Sequence, residues 1–426
     1  FSYSEKNQAF QKSLSTEESN YLYSLRQTKI SPNLNKVQIS IASYFGGLDW
    51  LRGKDVGIGY QLYQVLASPK LTVISLKLTA AVIISEFYKF KLTLRQFLKE
   101  SGLSSYDFLP LDFMDKNHFE KKRHVGICIY ELVRRYHEFN QKYEYLRYSL
   151  ELLLLSSVTN QANFETLRQA LASKEAMESL FNTSKGINRG QISTTFTDQI
   201  FRVSSSGNLL SLEVLQQLSD ANQELPITTV EKLMFSWLMA SLAVQPSDIT
   251  KLTKRSFRLL KVGKRVSHIE CEYFKGRANR IHNTRTLSTR KLEGKALLIY
   301  LKQHQGIDLH THNGNSITIS SGDACLSGVL TKVLMWSPIE KRIATAHRQQ
   351  GRIPIVVPKA LLAVIEYGIH TENIIPNPKK KPISERKELV ANSETPCPKH
   401  LFGLQAIKNS AVHAFSDPYT LHYLVN

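Results

Sequence analysis

Cysteine is scarce in this chain, acids are few for its size, and long apolar runs are missing. The four cysteines, Cys128, Cys271, Cys325 and Cys397, are scattered through 426 residues and form no CxxC pair or Cys/His cluster. That spacing excludes a disulfide framework and offers no metal-ligand set, so neither metal nor cofactor is expected. Reduced thiols suit a cytoplasmic, nucleoid-associated setting. The longest apolar stretches, such as "LTAAVIISEF" and "SLELLLLSSV", fall short of the roughly 18–20 residues that cross a bilayer, and no membrane partner is expected. The opening "FSYSEKNQAF" lacks the basic-then-apolar pattern of a secretion signal. No Met begins the sequence and "LHYLVN" ends it without a tail, so it reads as a fragment at both ends. No internal repeat and no long biased segment is present.

What the chain does have is positive charge. Lys and Arg number 55 against 36 Asp and Glu, a net charge of +19. An excess of this size points to a polyanionic partner, and nucleic acid is the commonest. The apolar fraction of 42% is enough to fold a chain of this length, which at 426 residues divides into two or three domains.

The pattern along the chain predicts a mostly α protein with a small β-hairpin or sheet. Residues 1–70 are polar and irregular, and their fold is not legible. From about 72 to 180, apolar residues three and four apart predict helices, broken by a loop at "SGLSSYDFLPLDFMD". Tyr136, Phe139, Tyr143, Tyr145 and Tyr148 follow that spacing in part and read as core. "NTSKGINRGQISTTF" and "VSSSGN" read as flexible connection, and "NQELP" as a linker near 222. In "LPITTVEKLMFSWLMASLAV", Thr228 followed by Glu231 forms a capping box that starts a helix. "VQPSDITKL" starts another, with Pro246 in the first helical position and Asp248 at the positive end of the dipole. Alternation around 266–274, a turn at Gly276 and a second strand near 281–287 predict a hairpin. "EGKALLIYLKQH" returns to helix, the span 305–400 is less regular, and "GLQAIKNSAVHAF" reads as an amphipathic helix with Leu404, Ile407, Ala411 and Phe415 inward.

Taken in order, these elements carry a resemblance. "SLAVQPSDITKL" is similar to a segment of the tyrosine recombinase (phage integrase) family, with Gln245 at that family's Arg position and Asp248 at its acidic one. "ECEYFKGRANRIHNTRTLS" resembles the family's β-hairpin, whose lysine corresponds to Lys275. "QAIKNSAVHA" resembles its His-x-x-Arg helix, with Gln405 at the His position and Lys408 at the Arg position. The resemblance implies a tyrosine-recombinase-like domain over 223–426, in which about 335–400 is an insertion. It also implies an α-helical, DNA-clamping domain over 71–222, and a role in mobile-element DNA recognition or recombination. Other mobile-element proteins and further copies of the chain on DNA are the partners it suggests.

The departures from the family bear on chemistry. Family members attack a phosphodiester with a tyrosine while arginines and a histidine or lysine hold the developing charge. Arginine suits that work because its fork donates two parallel hydrogen bonds and stays charged. Gln245 brings no charge, Lys408 has no fork, and Gln405 cannot transfer a proton. Loss of one such donor can cost on the order of 10²–10³ in rate, so the resemblance implies a degenerate site. Tyr419 and Tyr423 read as part of a further helix, which places any nucleophile beyond Asn426. An active recombinase with an atypical site and a non-catalytic interaction scaffold are the alternative readings.

The basic residues have a pattern of their own. Lys251, Lys254, Arg255, Arg258, Lys261, Lys264 and Arg265 occur without an intervening acid, and Lys275, Arg277, Arg280, Arg285 and Arg290 continue the run. That asymmetry predicts a surface for the phosphates of double-stranded DNA, which positions a protein without reading sequence. His304, His310 and His312 lack the fixed spacing to carboxylate or thiol that a metal site needs. "HRQQGR" reads as a loop, because Gly351 interrupts a helix, and "NPKKKPISERK" reads as a solvated loop.

Overall fold

The computed structural model describes residues 68–139, 212–275, 280–303, 336–351 and 403–415, with single positions near 172, 333 and 355. They are mostly helical, with one small antiparallel sheet of four strands. The order is α1 (Pro69–Ser101), the single turn α2 (Ser105–Phe108), α3 (His118–Phe139), α4 (Leu212–Ser219), α5 (Thr229–Ala240) and the single turn α6 (Pro246–Ile249). Then come β1 (Phe257–Val262), β2 (Arg265–Lys275), β3 (Arg280–Asn283), β4 (Leu287–Ser288), α7 (Leu292–Gln303), α8 (Ser337–Gln349) and α9 (Leu404–Phe415).

Helix α1 organises the core. Ser68 caps it by accepting from the Leu71 N–H, Pro69 fits its first turn, and Gly102 ends it at φ 72°. With 33 residues it is about 50 Å long. It is apolar on nearly every side between Val73 and Phe90, a pattern that demands cover all round. α5, α7, α8 and α9 supply that cover. By length and composition α1 could cross a membrane, contrary to the expectation from its short apolar runs, but 72% of its most apolar stretch is buried inside the protein. Serines, threonines and Lys77 interrupt the runs in sequence, while the helix as a whole stays apolar.

One core therefore joins α1 to elements that follow residue 222. Leu76, Ile83, Phe87 and Phe90 meet Leu233, Trp237, Leu297, Tyr300, Trp336, Ile339 and Ile407 in a single cluster. Phe235 stacks on Tyr300 at 4.4 Å and 8° and reaches Phe257 of the sheet at 6.1 Å. Trp336 and Ile339, at the start of the span expected as an insertion, are core residues, and Trp336 packs on Phe90 at 5.1 Å. α4 lies on α2 and α1, and α3 meets α2. Tyr136 is buried, as its spacing predicts; Tyr143, Tyr145 and Tyr148 lie outside the described residues, as do 1–67.

A buried ionic junction locks α1 to α5 and α7. The Lys91 ammonium donates to both Glu231 carboxylate oxygens at 2.7 and 2.8 Å, to the Pro226 carbonyl at 2.7 Å and to Gln303 Oε1 at 2.6 Å. Glu231 also closes the capping box read from sequence. It accepts from the Thr228 N–H at 2.9 Å while its own N–H donates to Thr228 Oγ1 at 3.2 Å. Lys91 is 1% and Glu231 0% exposed. Burial pushes the Lys91 ammonium below its ordinary range, and the Glu231 charge opposes that shift.

Two sequence expectations need correction. "HRQQGR" is not a loop throughout: His347 and Arg348 end α8, and Gly351, at φ 97°, stands just past the helix. His347 is buried, its ring nitrogens 2.8 Å from Ser75 Oγ and 2.8 Å from the Ile343 carbonyl. The basic run before the hairpin contains a strand, β1, whose pairing with β2 runs from Phe257 opposite Cys271 to Val262 opposite Arg265. Gly263 takes the first position of the two-residue turn between them at φ 60°, the glycine place in a type II′ hairpin.

Candidate nucleic-acid interface

The sheet turns one face to the core and the other outward. Phe257, Ile269 and Cys271 are buried, while Arg258, Leu260 and His268 alternate with them and are exposed. β3 and β4 both pair with the edge of β2 away from β1, β3 opposite Glu272 to Lys275 and β4 opposite His268 and Ile269. Between them Thr284 keeps the chain against β2: its N–H donates to the Cys271 carbonyl at 2.8 Å and its Oγ1 accepts from the Cys271 N–H at 3.1 Å.

All seven cations of the run are exposed: Lys251, Lys254, Arg255, Arg258, Lys261, Lys264 and Arg265. Lys251 lies 3.6 Å from buried Asp248, and Arg258 lies 3.5 Å from Glu272 across the sheet. Arg258 and Glu272 form an exposed pair, of a kind that holds a side chain loosely, typically by less than about 1 kcal/mol. Lys261, Lys264 and Arg265 gather at the β1–β2 turn, and the exposed apolar residues Leu259, Leu260 and Val262 stand among them. Arg285 and Arg290 are exposed as well, on the segment that leads into α7. Lys275 ends β2, its backbone opposite Arg280 at the start of β3. The side chains of Lys275 and Arg280, and Arg277 altogether, lie outside the described residues.

The residues matched to the family's catalytic positions are placed differently from one another. Gln245 stands at the N-cap position of α6, without a side-chain capping bond, and is half-buried at the wall of a cavity. Gln405 is exposed on α9, its Nε2 donating to Asn409 Oδ1 at 2.9 Å. Lys408, one turn further, is 1% exposed on the inner side of that helix with Leu404, Ile407 and Ala411; the side chain of Phe415 lies outside the described residues. Burial and the Lys408 charge together hold the nearby His413 below its ordinary range. Lys275, Gln245, Gln405 and Lys408 thus occupy a strand end, a cavity wall, a solvent face and the interior.

The cavity beside Gln245 measures about 360 Å³ and opens between α1, the sheet, the start of α7 and α9. Lys77, Arg285, Lys291, His268, His282 and Glu293 stand in its wall beside Gln245, and of these Gln245 and Arg285 are candidate site residues by sequence. The Lys77 ammonium is held below its ordinary range by burial first. Glu293 opposes the shift, and the charges of Arg285 and Lys291 add to it. Tyr273 lies in the same wall, 5.9 Å from the His282 ring, and burial pushes its phenol up to about 12. Lys77 is a single cation inside the apolar helical run "VISLKLTAAV", and that isolation is the sequence signal that could have drawn attention to it. Among the described residues, no group of three His, Cys, Asp or Glu stands ready for a metal ion. His304, His310 and His312, the "NPKKKPISERK" segment, and Tyr419 and Tyr423 lie outside the described residues. Cys128 and Cys271 are buried and their thiols are pushed up to about 12, which leaves them unreactive.

Comparison with known proteins gives no match to any family model, any curated protein or any solved structure.

Proposed function

We propose that the protein binds duplex DNA, and that it is a catalytically degenerate relative of the tyrosine recombinases acting in mobile-element DNA recognition or recombination on the nucleoid. The observation that carries the DNA-binding reading is the run from Lys251 to Arg265, seven cations without an acid, every one exposed. A net charge of +19 supports it. The relation to recombinases rests on the order of capped helix, short Pro-led helix, hairpin, helix and late amphipathic helix, and on the three motifs at Gln245, Lys275 and Gln405–Lys408. Degeneracy is supported by chemistry at those positions: Gln245 carries no charge, Gln405 is bonded to Asn409 at the surface, and Lys408 is buried.

The test uses the full chain and a nicked duplex of mixed sequence, run on native and denaturing gels. The expected outcome is a native shift without a denaturant-stable band. If 6–10 cations meet phosphates, affinity falls roughly 10³–10⁵-fold between 50 and 200 mM salt, and each of Lys261→Gln, Lys264→Gln and Arg265→Gln reduces the salt slope by about 1. A denaturant-stable band lost on a Tyr→Phe change would establish an active recombinase instead. No shift at low salt would refute DNA binding and leave a protein-interaction scaffold.

A further inference from the structure

The cavity beside Gln245 has the chemistry of an anion site. Three cations, Lys77, Arg285 and Lys291, face it against one carboxylate, Glu293, a surplus of two positive charges. They come from separate parts of the chain: Lys77 from the middle of α1, Arg285 from the segment after β3, and Lys291 from the turn before α7. That convergence costs the fold something, because Lys77 is half-buried among groups of its own sign. The His268 and His282 rings add further nitrogen hydrogen-bonding groups to the wall. The wall also contains Leu242, Ala243, Leu287, Ala411 and Val412, so the site has an apolar side beside its charged one. Its volume of about 360 Å³ is at the lower end of small-ligand sites and exceeds what a lone phosphate group needs. One oxygen of Glu293, Oε2, is buried and accepts no hydrogen bond among the described residues. It is an acceptor ready for a hydroxyl or amino donor on whatever the cations hold.

We propose that this cavity binds a phosphate group carried on a sugar-sized body: Lys77, Arg285 and Lys291 hold the phosphate oxygens, and Glu293 accepts from a donor on the attached group. A nucleotide meets that description, either as a free nucleoside monophosphate or as one residue of a DNA strand. The second source rests on the DNA-binding reading; the first does not.

The full-length chain is titrated calorimetrically with inorganic phosphate, with a deoxynucleoside monophosphate and with a short duplex. Arg285→Gln and Lys291→Gln change exposed side chains and are compatible with folding; Lys77→Gln is checked first by its melting curve. Lys261→Gln/Lys264→Gln, at the remote end of the hairpin, serves as control. Hydrogen bonds to charged groups predict a loss of about ten-fold or more in affinity for the mononucleotide in each cavity variant, with none in the control. Mononucleotide binding that exceeds binding of inorganic phosphate and weakens in Glu293→Gln supports the role given to that carboxylate. A duplex that loses affinity in cavity and control variants alike identifies a DNA strand as the source. Mononucleotide binding without duplex binding keeps the cavity assignment and refutes the DNA reading. Wild-type protein that binds neither small ligand, with duplex affinity unchanged in Arg285→Gln and Lys291→Gln, overturns the proposal.

Discussion

Replacing Lys91 with methionine should strip about 3–5 kcal/mol from the stability of the fold. The methionine fills much of the same space, so the cost comes from the acceptors left behind. Glu231 Oε2 keeps the Thr228 N–H at 2.9 Å and hydroxyl at 3.0 Å, but Oε1 loses its donor at 2.7 Å. The Pro226 carbonyl and Gln303 Oε1 lose theirs as well. A charge buried without its partner typically costs about 3–5 kcal/mol, which is a large share of the roughly 5–15 kcal/mol by which domains are stable. Glu231→Gln should cost less, because the amide oxygen can still accept from Thr228 and the lysine, already pushed below its ordinary range by burial, can give up its proton. The double variant Lys91→Met/Glu231→Gln should be more stable than Lys91→Met alone, since no buried charge remains. Urea unfolding followed by the fluorescence of buried Trp237 and Trp336 reads these differences as midpoints at constant slope. A Lys91→Met midpoint equivalent to less than about 1 kcal/mol of loss would refute the reasoning, and would mean that water reaches the junction.

Two further outcomes follow from local geometry. A Cβ on Gly294 would stand 2.6 Å from the Ser288 carbonyl carbon and 3.0 Å from the Thr289 nitrogen, both backbone; Gly294→Ala should therefore destabilise by about 1–3 kcal/mol despite alanine's better helix propensity. Denaturation of that variant at or above the wild-type midpoint would contradict the close approach. His347 is held below its ordinary value of 6.5 by burial, so the unfolded chain takes up a proton that the native imidazole resists. Stability is thus complete above about pH 6.5 and falls as pH drops through the native value, with His413 adding a loss of the same sign. Urea midpoints across that range should show the decline, and His347→Asn should flatten it.

The elements were more legible in the sequence than their neighbours. Periodicity and punctuation gave the helices: apolar spacing from about residue 72 for α1, the Thr228–Glu231 box before α5, and Pro246 in the first turn of α6. Periodicity does not name a partner, however, and α1 was placed with 71–222 although it packs in the core with α5, α7, α8 and α9. β1 escaped notice because Arg258, Lys261 and their neighbours are exposed on both sides, which removes the alternation that marks a half-buried strand. Gly351 suggested a break inside "HRQQGR", but a glycine just past a helix ends it without removing its last turn. Gln245 and Arg285 were singled out separately, and only the fold puts them in one cavity wall with Lys77, Lys291 and the two histidines. Such a convergence, across more than 200 residues between Lys77 and Arg285, has no local signature.

The central place of α1 also sets the order in which the protein can be finished as it is made. Its last cover, α9, follows it by some 300 residues, which a ribosome adds in about 15–60 s at roughly 5–20 residues per second. During that interval Leu76, Ile83 and Phe87 lack the side of the core that Ile407 and Ala406 complete. A long apolar helix waiting in water is a target for chaperones and for other nascent chains. Slowing or halting synthesis anywhere between α8 and α9 should therefore endanger this protein more than a comparable pause before α1.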